Sequence, residues 1–178
     1  MCSSDLVGFR YPRHVVRKQF HMLWMVDTQF AIPPGAPAHR AVGSSVLPCD
    51  ALGFGLFAHM HLRGRDMSFI ARYPDGRSET LLLIPNFSFD WQMGYQFVGR
   101  GRTFPKGTRL EAVAHYDNSP FNPYNPDAKA TVKEGQQTFQ EMLNGVFFYI
   151  DRNEDLHITV DVKTGAAVDP KKTLSDAR

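Results

Sequence analysis

The segment LFAHMHLRGRDMSF, residues 56–69, decides the fold because apolar and polar side chains alternate through its first half. One set of alternate positions is entirely apolar and consists of Leu56, Ala58, Met60 and Leu62. His59 and His61 occupy positions between them. Side chains two residues apart in a β-strand point to the same side, so the pattern predicts a strand over 54–63 that buries its apolar face. The two imidazoles then share the opposite face.

Similar short apolar segments recur along the chain between loops that are rich in the 14 glycines and 12 prolines. The sequence predicts strands near 23–32, 42–48, 54–63, 67–73, 79–84, 88–98, 108–116, 143–150 and 156–162. YPDGR at 73–77 predicts a hairpin between two of these strands. Many short strands separated by such turns are typical of all-β proteins, and we expect a single-domain antiparallel jelly-roll β-sandwich.

The composition excludes several classes of protein. Hydrophobic residues make up 43% of the 178 residues, which is enough for the core of one domain. The net charge of +2 gives no sign of nucleic-acid binding. No apolar run approaches the roughly 20 residues that a membrane span requires. The two cysteines argue against a disulfide-rich scaffold.

The chain divides into three parts on its sequence. Residues 1–19 form an N-terminal segment, residues 20–162 the predicted sandwich, and residues 163–178 a polar tail that we expect to be frayed. The first six residues, MCSSDL, back-translate into a sequence that resembles the end of a common sequencing adapter. We therefore interpret residues 1–6 as an adapter artefact at the start of a gene fragment, with a short native terminus as the alternative.

Aromatic and methionine side chains supply most of the remaining core predictions. FSFDWQMGYQF at 87–97 predicts a strand with Phe87, Phe89 and Trp91 in the core rather than stacked on a ligand. Methionines commonly fill gaps in a core, which is the prediction for Met22, Met25, Met60, Met67 and Met93. The oxygen-bearing side chains of the loop at 117–127 favour a series of Asx turns over a calcium site, because the spacing of a calcium loop is missing.

The His-x-His spacing by itself leaves two interpretations open. His59 and His61 on one strand face can converge on a single metal ion. They can equally be two exposed imidazoles without a role. The spacing alone does not decide between a metal site and a plain surface.

Four motifs in a fixed order add information to this spacing. They are FAIPPG at 30–35, HMHLRGR at 59–65, PKGTRLEAVAHYDNS at 105–119 and QTFQEMLNGVFFY at 137–149. Together they resemble the copper type II, ascorbate-dependent monooxygenases, the family of dopamine β-hydroxylase and peptidylglycine α-hydroxylating monooxygenase. The resemblance is to the C-terminal catalytic domain, covers about residues 20–162, and is greatest for the bacterial branch.

The resemblance implies a copper site and an enzymatic activity. In that family two histidines and a methionine at the matching positions, here His59, His61 and Met142, bind one copper at which oxygen is activated. Two imidazoles and a soft thioether suit copper, above all Cu(I). The implied activity is hydroxylation of a C–H bond in a small substrate by O2, with ascorbate or another reductant as electron donor. A second copper in an N-terminal domain of the same fold, and a periplasmic or secreted location, are also implied.

Departures from the family pattern bear on the substrate and the surroundings of the copper. His115 and Leu143 stand where the animal enzymes have a disulfide, and His115 is a candidate partner of the copper ligands, an additional ligand or a plain structural histidine. Phe57 replaces an arginine that binds the substrate carboxylate in the peptide-hydroxylating branch. Val146 replaces a substrate-binding tyrosine, while Asn144 matches an asparagine. Phe57 and Asn144 are therefore candidate pocket residues, and the pocket is expected to be more apolar.

Two rival interpretations remain on the sequence. The first is a non-catalytic copper-binding or structural β-sandwich module that shares the fold. The second is a cupin-like metal enzyme, for which the sequence lacks an assignable carboxylate and third histidine.

Overall fold

A computed structural model describes Gly8 and residues 10–168 of the chain. Within these residues the protein contains β-strands and no helix, and the strands form several antiparallel sheets. The all-β prediction is therefore confirmed. The adapter-like residues 1–6 and the tail residues 169–178 lie outside the described part of the chain.

Thirteen strands make up the described structure. In chain order they are β1 (His21–Val26), β2 (Ala31–Ile32), β3 (His39–Val46), β4 (Ala51–His59), β5 (Gly64–Arg72), β6 (Ser78–Ile84), β7 (Gly94–Gln96), β8 (Arg102–Phe104), β9 (Arg109–Tyr116), β10 (Val132–Lys133), β11 (Asn144–Asp151), β12 (Thr159–Val160) and β13 (Ala167–Val168). A five-stranded sheet has the order β1-β11-β4-β7, with β8 also paired to β4. A four-stranded sheet has the order β3-β9-β5-β6.

The strands belong to two compact units. The larger unit, residues 20–152, contains both large sheets and the short β2–β10 pair. The smaller unit combines described residues before 20 with residues 153–168 and contains the β12–β13 pair. Residues 167–168 thus belong to a short hairpin, although the whole segment from 163 was expected to be a frayed tail.

Buried side chains of the two large sheets form the core of the larger unit. Strand β11 approaches the four-stranded sheet closely at Gly145. A Cβ atom at this position would lie 2.6 Å from the Cβ of Ala112 on β9 and 2.9 Å from the ring of Phe69 on β5. Real Cβ atoms essentially never come so close, so the separation of the sheets at this point requires glycine.

Several predicted strands differ from those observed. The predicted strand at 54–63 ends at His59, because the chain turns at residues 62–63 into β5. The predicted strand at 23–32 is interrupted after Val26 and resumes only at β2. Strands β8 and β10 were not predicted. The hairpin at 73–77 is confirmed, with the N–H of Tyr73 donating to the carbonyl of Arg77 at 2.8 Å.

The aromatic segment at 87–97 differs most from its prediction. Only Gly94–Gln96 is a strand, and the N–H of Trp91 donates to the carbonyl of Ser88 at 3.2 Å in a turn. The Trp91 side chain is 72% exposed rather than in the core. The alternation of aromatic and polar residues here accompanies a turn, in which alternate side chains do not share one face.

The methionines divide between core and surface. Met25, Met60 and Met67 are fully buried, as predicted. Met22 and Met93 are exposed, so the core prediction is wrong for these two. Among the described residues, no helix is both long and apolar enough to cross a membrane.

Candidate metal centre

The two histidines lie where β4 ends and the chain turns towards β5. His59 is the last residue of β4, and His61 follows it by two residues outside the strand. Their ring centroids are 5.1 Å apart and the ring planes are nearly perpendicular, at 82°. The predicted proximity of the rings is present, although the two residues do not belong to one strand.

Gln92 fixes the orientation of the His59 ring. The Nδ1 atom of His59 lies 2.7 Å from Oε1 of Gln92. The amide orientation of Gln92 is fixed independently, because its Nε2 group donates to the carbonyl of Phe89 at 3.0 Å. Since Oε1 only accepts, Nδ1 of His59 carries the proton in the neutral ring and Nε2 keeps a free lone pair. Metal-binding histidines are commonly held in this way.

The His61 ring has an equivalent partner on the backbone. Its Nδ1 atom lies 3.2 Å from the carbonyl oxygen of Gln140, so in the neutral ring Nδ1 donates and Nε2 is the free acceptor. The ring is 4% exposed, and the edge of the Phe89 ring lies nearby, with 6.1 Å between centroids. Burial lowers the pKa of His61, the Gln140 carbonyl opposes this shift and the neighbouring His59 adds to it. The neutral, metal-binding form is therefore favoured.

Met142 precedes β11 by two residues, in a segment whose neighbours Glu141 and Asn144 adjoin the two histidines. Asn144, two residues later, pairs with His59 in the β11–β4 ladder. The Nδ2 group of Asn144 donates to the sulfur of Met142 at 3.5 Å. The hydroxyl of Tyr116 donates to the Met142 carbonyl at 2.8 Å. Burial raises the pKa of Tyr116, so its hydroxyl stays protonated and remains a donor. The backbone and the side chain of Met142 are thus both held in place.

Glu141 ties the methionine segment to the histidine turn. One of its carboxylate oxygens accepts the backbone N–H of His61 at 2.8 Å, and the other accepts that of Arg63 at 2.6 Å. The side chain is fully buried. Burial raises the pKa of Glu141 to about 7, although the two backbone donors and the Arg63 guanidinium oppose this. Because Glu141 precedes Met142, its two hydrogen bonds fix the methionine segment against the turn at His61.

Arg63 and Asn118 extend this network beneath the turn. Arg63 is 1% exposed, and its guanidinium donates to Oδ1 of Asn118 at 2.8 Å and to the carbonyl of Phe139 at 2.8 Å. Asn118 donates in turn to the carbonyls of Pro33 and Ala130. We call Arg63, Asn118 and Glu141 the buried polar cluster. In the described part of the chain no buried side-chain nitrogen or oxygen lacks a hydrogen-bond partner.

The loop at 117–127 forms the predicted series of Asx turns. The side chains of Asp117, Asn122, Asn125 and Asp127 each accept the N–H of the residue two positions later. These oxygen atoms therefore have backbone donors as partners, and the loop closes over the buried polar cluster through Asn118.

The remaining candidates lie on two different surfaces. Phe57 and Asn144 are on the same face of the five-stranded sheet as His59, with Phe57 opposite Val146. His115 lies on β9, and its Nδ1 is 2.6 Å from Oδ1 of Asp66 on β5. Neighbouring residues in a strand point to opposite sides, so His115 faces away from Tyr116, which contacts Met142. The contact of the His115 ring is with Asp66.

Several residues of this centre have no role in the predictions from sequence. Gln92 and Phe89 were assigned to a strand, although Pro85 and Asn86 just before them are a turn signal that would have placed both in a loop. Glu141 occurs in those predictions only as one letter of the motif at 137–149. A glutamate beside an apolar run does not by itself indicate that its side chain is buried. A buried carboxylate requires hydrogen-bond donors around it, and the donors to Glu141 are distant in the sequence.

The ligand atoms that His59, His61 and Met142 offer determine which metal the site would fit. No three side chains from His, Cys, Asp and Glu gather as a metal site within the described residues. Two neutral imidazoles with a thioether are a soft set of the kind that binds copper. No protein-family model matches the chain, and a comparison with curated proteins finds no match either.

Proposed function

We propose that the chain is the oxygen-activating copper domain of an ascorbate-dependent monooxygenase that hydroxylates a C–H bond of a small substrate. The observation that carries the proposal is the state of the two imidazoles. His59 and His61 each direct Nδ1 at a fixed oxygen acceptor, which leaves both Nε2 lone pairs available on neighbouring rings. The alternative of two exposed imidazoles does not describe His61, which is 4% exposed.

His59, His61 and Met142 would hold the copper. The sulfur of Met142 accepts one hydrogen bond from Asn144 and retains a second lone pair. When bound, copper would supply oxygen activation and one-electron redox chemistry, with electrons from ascorbate or another reductant. A thioether in place of a third imidazole favours Cu(I), the form that reacts with oxygen.

The residues around the centre have separate tasks in this proposal. Gln92 and the Gln140 carbonyl orient the two rings, and the buried polar cluster holds the histidine turn against the methionine segment. Phe89 limits the access of water to His61. Phe57 and Asn144, on the same sheet face as His59, would contact the substrate.

The sheet orders support a jelly-roll topology for the same proposal. Counting the long strands in sequence, with β7 and β8 together as the sixth, gives the orders 1-8-3-6 and 2-7-4-5. These are the orders that two Greek keys produce in a jelly roll. A second copper domain at the N-terminal side and a periplasmic or secreted location belong to the proposal through the family resemblance.

Copper binding to the purified chain tests the proposal. Wild-type protein should bind about one Cu(I) per chain in competition with a chelator, and x-ray absorption should detect sulfur next to the metal. Met142→Ala should remove the sulfur signal, while Met93→Ala, a change at an exposed methionine, should leave it unchanged. A Cu(I) complex without a sulfur neighbour, or Cu(I) binding unaffected by His59→Ala and His61→Ala, would refute the assignment.

A further inference from the structure

A second feature of the five-stranded sheet is a groove with an aromatic lining. It has a volume of about 710 Å³, and Phe20, Phe54 and Phe148 supply its aromatic rings. The Phe20 ring stacks on Phe54 and Phe148, with 5.8 and 5.7 Å between ring centroids. We call this feature the aromatic groove. Its volume lies in the range of small-molecule sites, about 300–1,000 Å³.

Two of the residues that line the aromatic groove are Gly55 and Gly94. A Cβ at Gly55 on β4 would lie 2.3 Å from the carbonyl oxygen of Tyr95, so β7 approaches β4 closely only because this residue is glycine. Gly94 on β7 also lines the groove, and a Cβ there meets no atom within 4 Å. A Cβ at Gly94 thus has open space around it, and we expect a larger side chain there to occupy part of the groove.

The charge of the residues that line the groove indicates the charge of its ligand. Arg100 is the only lining residue with an ionised side chain at neutral pH, and no carboxylate is among the lining residues. Within the described part of the chain Arg100 forms no hydrogen bond or ion pair. A guanidinium binds a carboxylate through two parallel hydrogen bonds, and an aromatic surface beside it favours a planar apolar body. We propose that the aromatic groove binds a small aromatic carboxylate.

The aromatic groove lies on the same sheet face as the candidate copper site. Gly55, Phe57 and His59 alternate along β4, and their partners on β11 are Phe148, Val146 and Asn144. Four residues of a strand span about 13 Å, so the groove begins roughly this distance from His59. The idea that the aromatic carboxylate is a substrate rests on the proposed function. Its binding to the groove is independent of that function, because His59, His61 and Met142 do not line the groove.

Calorimetry on the copper-free protein tests the groove. Biphenyl carboxylate should bind with a sub-millimolar dissociation constant. Gly94→Leu should weaken this binding by about tenfold or more, because its side chain fills the site. Arg100→Gln should weaken the binding of biphenyl carboxylate several-fold and leave the binding of the neutral biphenyl methanol unchanged. Val98→Ser is the control, since Val98 is 99% exposed and does not line the groove.

Two results would overturn the groove proposal. One is no binding of biphenyl carboxylate up to millimolar concentration, and the other is equal binding to wild type and Gly94→Leu. If Gly94→Leu fails to fold, the comparison rests on Arg100→Gln, because Arg100 is exposed. A Cu(I) titration of the same samples separates the two proposals. If the protein binds copper but not biphenyl carboxylate, only the groove proposal is contradicted. If it binds biphenyl carboxylate but not copper, only the copper assignment is contradicted.

Discussion

Nδ1 of His59 and Oε1 of Gln92 form a hydrogen bond of 2.7 Å between residues that are 33 positions apart in the sequence. Gln92 lies in the segment before β7, outside the hydrogen-bond ladders of the sheet. Its amide is itself oriented by the carbonyl of Phe89. The contact therefore sets the ring orientation and tautomer of His59 without contributing to the sheet, and we expect its removal to have little effect on the fold.

Gln92→Ala is expected to weaken copper binding. Loss of a hydrogen bond that orients a metal-binding histidine typically lowers metal affinity by about 10–100-fold, and the same range is expected here. The measurement is a chelator competition for Cu(I), with Gln96→Ala as control because Gln96 is exposed on β7. Equal Cu(I) affinity in wild type and Gln92→Ala would show that Gln92 does not position the ligand.

Glu141→Gln is expected to destabilise the copper-free protein. The two carboxylate oxygens accept the N–H groups of His61 and Arg63, whereas an amide has one oxygen and must turn its NH2 group towards one of these donors. One buried N–H then lacks a partner, which lowers the free energy of unfolding by about 1–3 kcal/mol. Urea unfolding in mildly acidic buffer measures the difference, because the raised pKa of Glu141 means that its ionisation at alkaline pH lowers the stability of the wild type and masks the loss.

The matched control for this substitution is Asp90→Asn. Asp90 is exposed, so the same carboxylate-to-amide change there should alter the free energy of unfolding by less than about 0.5 kcal/mol. If Glu141→Gln is as stable as Asp90→Asn, the buried polar cluster does not hold the histidine turn and the methionine segment together.

The sequence predicted the local features of this site and missed those that depend on long-range contacts. Alternation at 56–60 correctly identified the buried face of β4, because period-two patterning is a local property of a strand. The same patterning at 87–91 was misleading, since it occurs in a turn and conceals the contact of Gln92 with His59. Nothing local distinguishes Met142 from the core methionines. Its selection came from the family resemblance, and its contacts became visible only in the structure.

Gly145→Ala is expected to destabilise the larger unit. Its added Cβ would lie 2.6 Å from the Cβ of Ala112, so the two large sheets must separate or β11 must shift. Such overpacking lowers the free energy of unfolding by about 1–3 kcal/mol. Gly94→Ala is the control, because a Cβ there meets no atom within 4 Å. Equal urea midpoints for the two variants would contradict the close approach of the sheets at Gly145.

Oxygen consumption by the copper-loaded chain is expected to be uncoupled from hydroxylation. Hydroxylation of a C–H bond by O2 takes up two electrons from the reductant, and a single copper that alternates between Cu(I) and Cu(II) carries one. Within the described residues, His59, His61 and Met142 form one candidate copper site. We therefore expect the copper-loaded 178-residue chain to consume oxygen slowly with ascorbate and to release hydrogen peroxide. Formation of stoichiometric hydroxylated product is not expected.

An oxygen electrode combined with product analysis measures this coupling across small apolar and aromatic substrates. Met142→Ala distinguishes copper at the proposed site from adventitious copper. The substitution should lower the Cu(I) affinity of the proposed site, and oxygen uptake by copper at that site should fall with it. Oxygen uptake that persists unchanged in Met142→Ala would arise from copper bound elsewhere. Stoichiometric product from the wild-type chain alone would show that a second electron reaches the site without a further copper domain. The requirement for that domain would then have to be withdrawn.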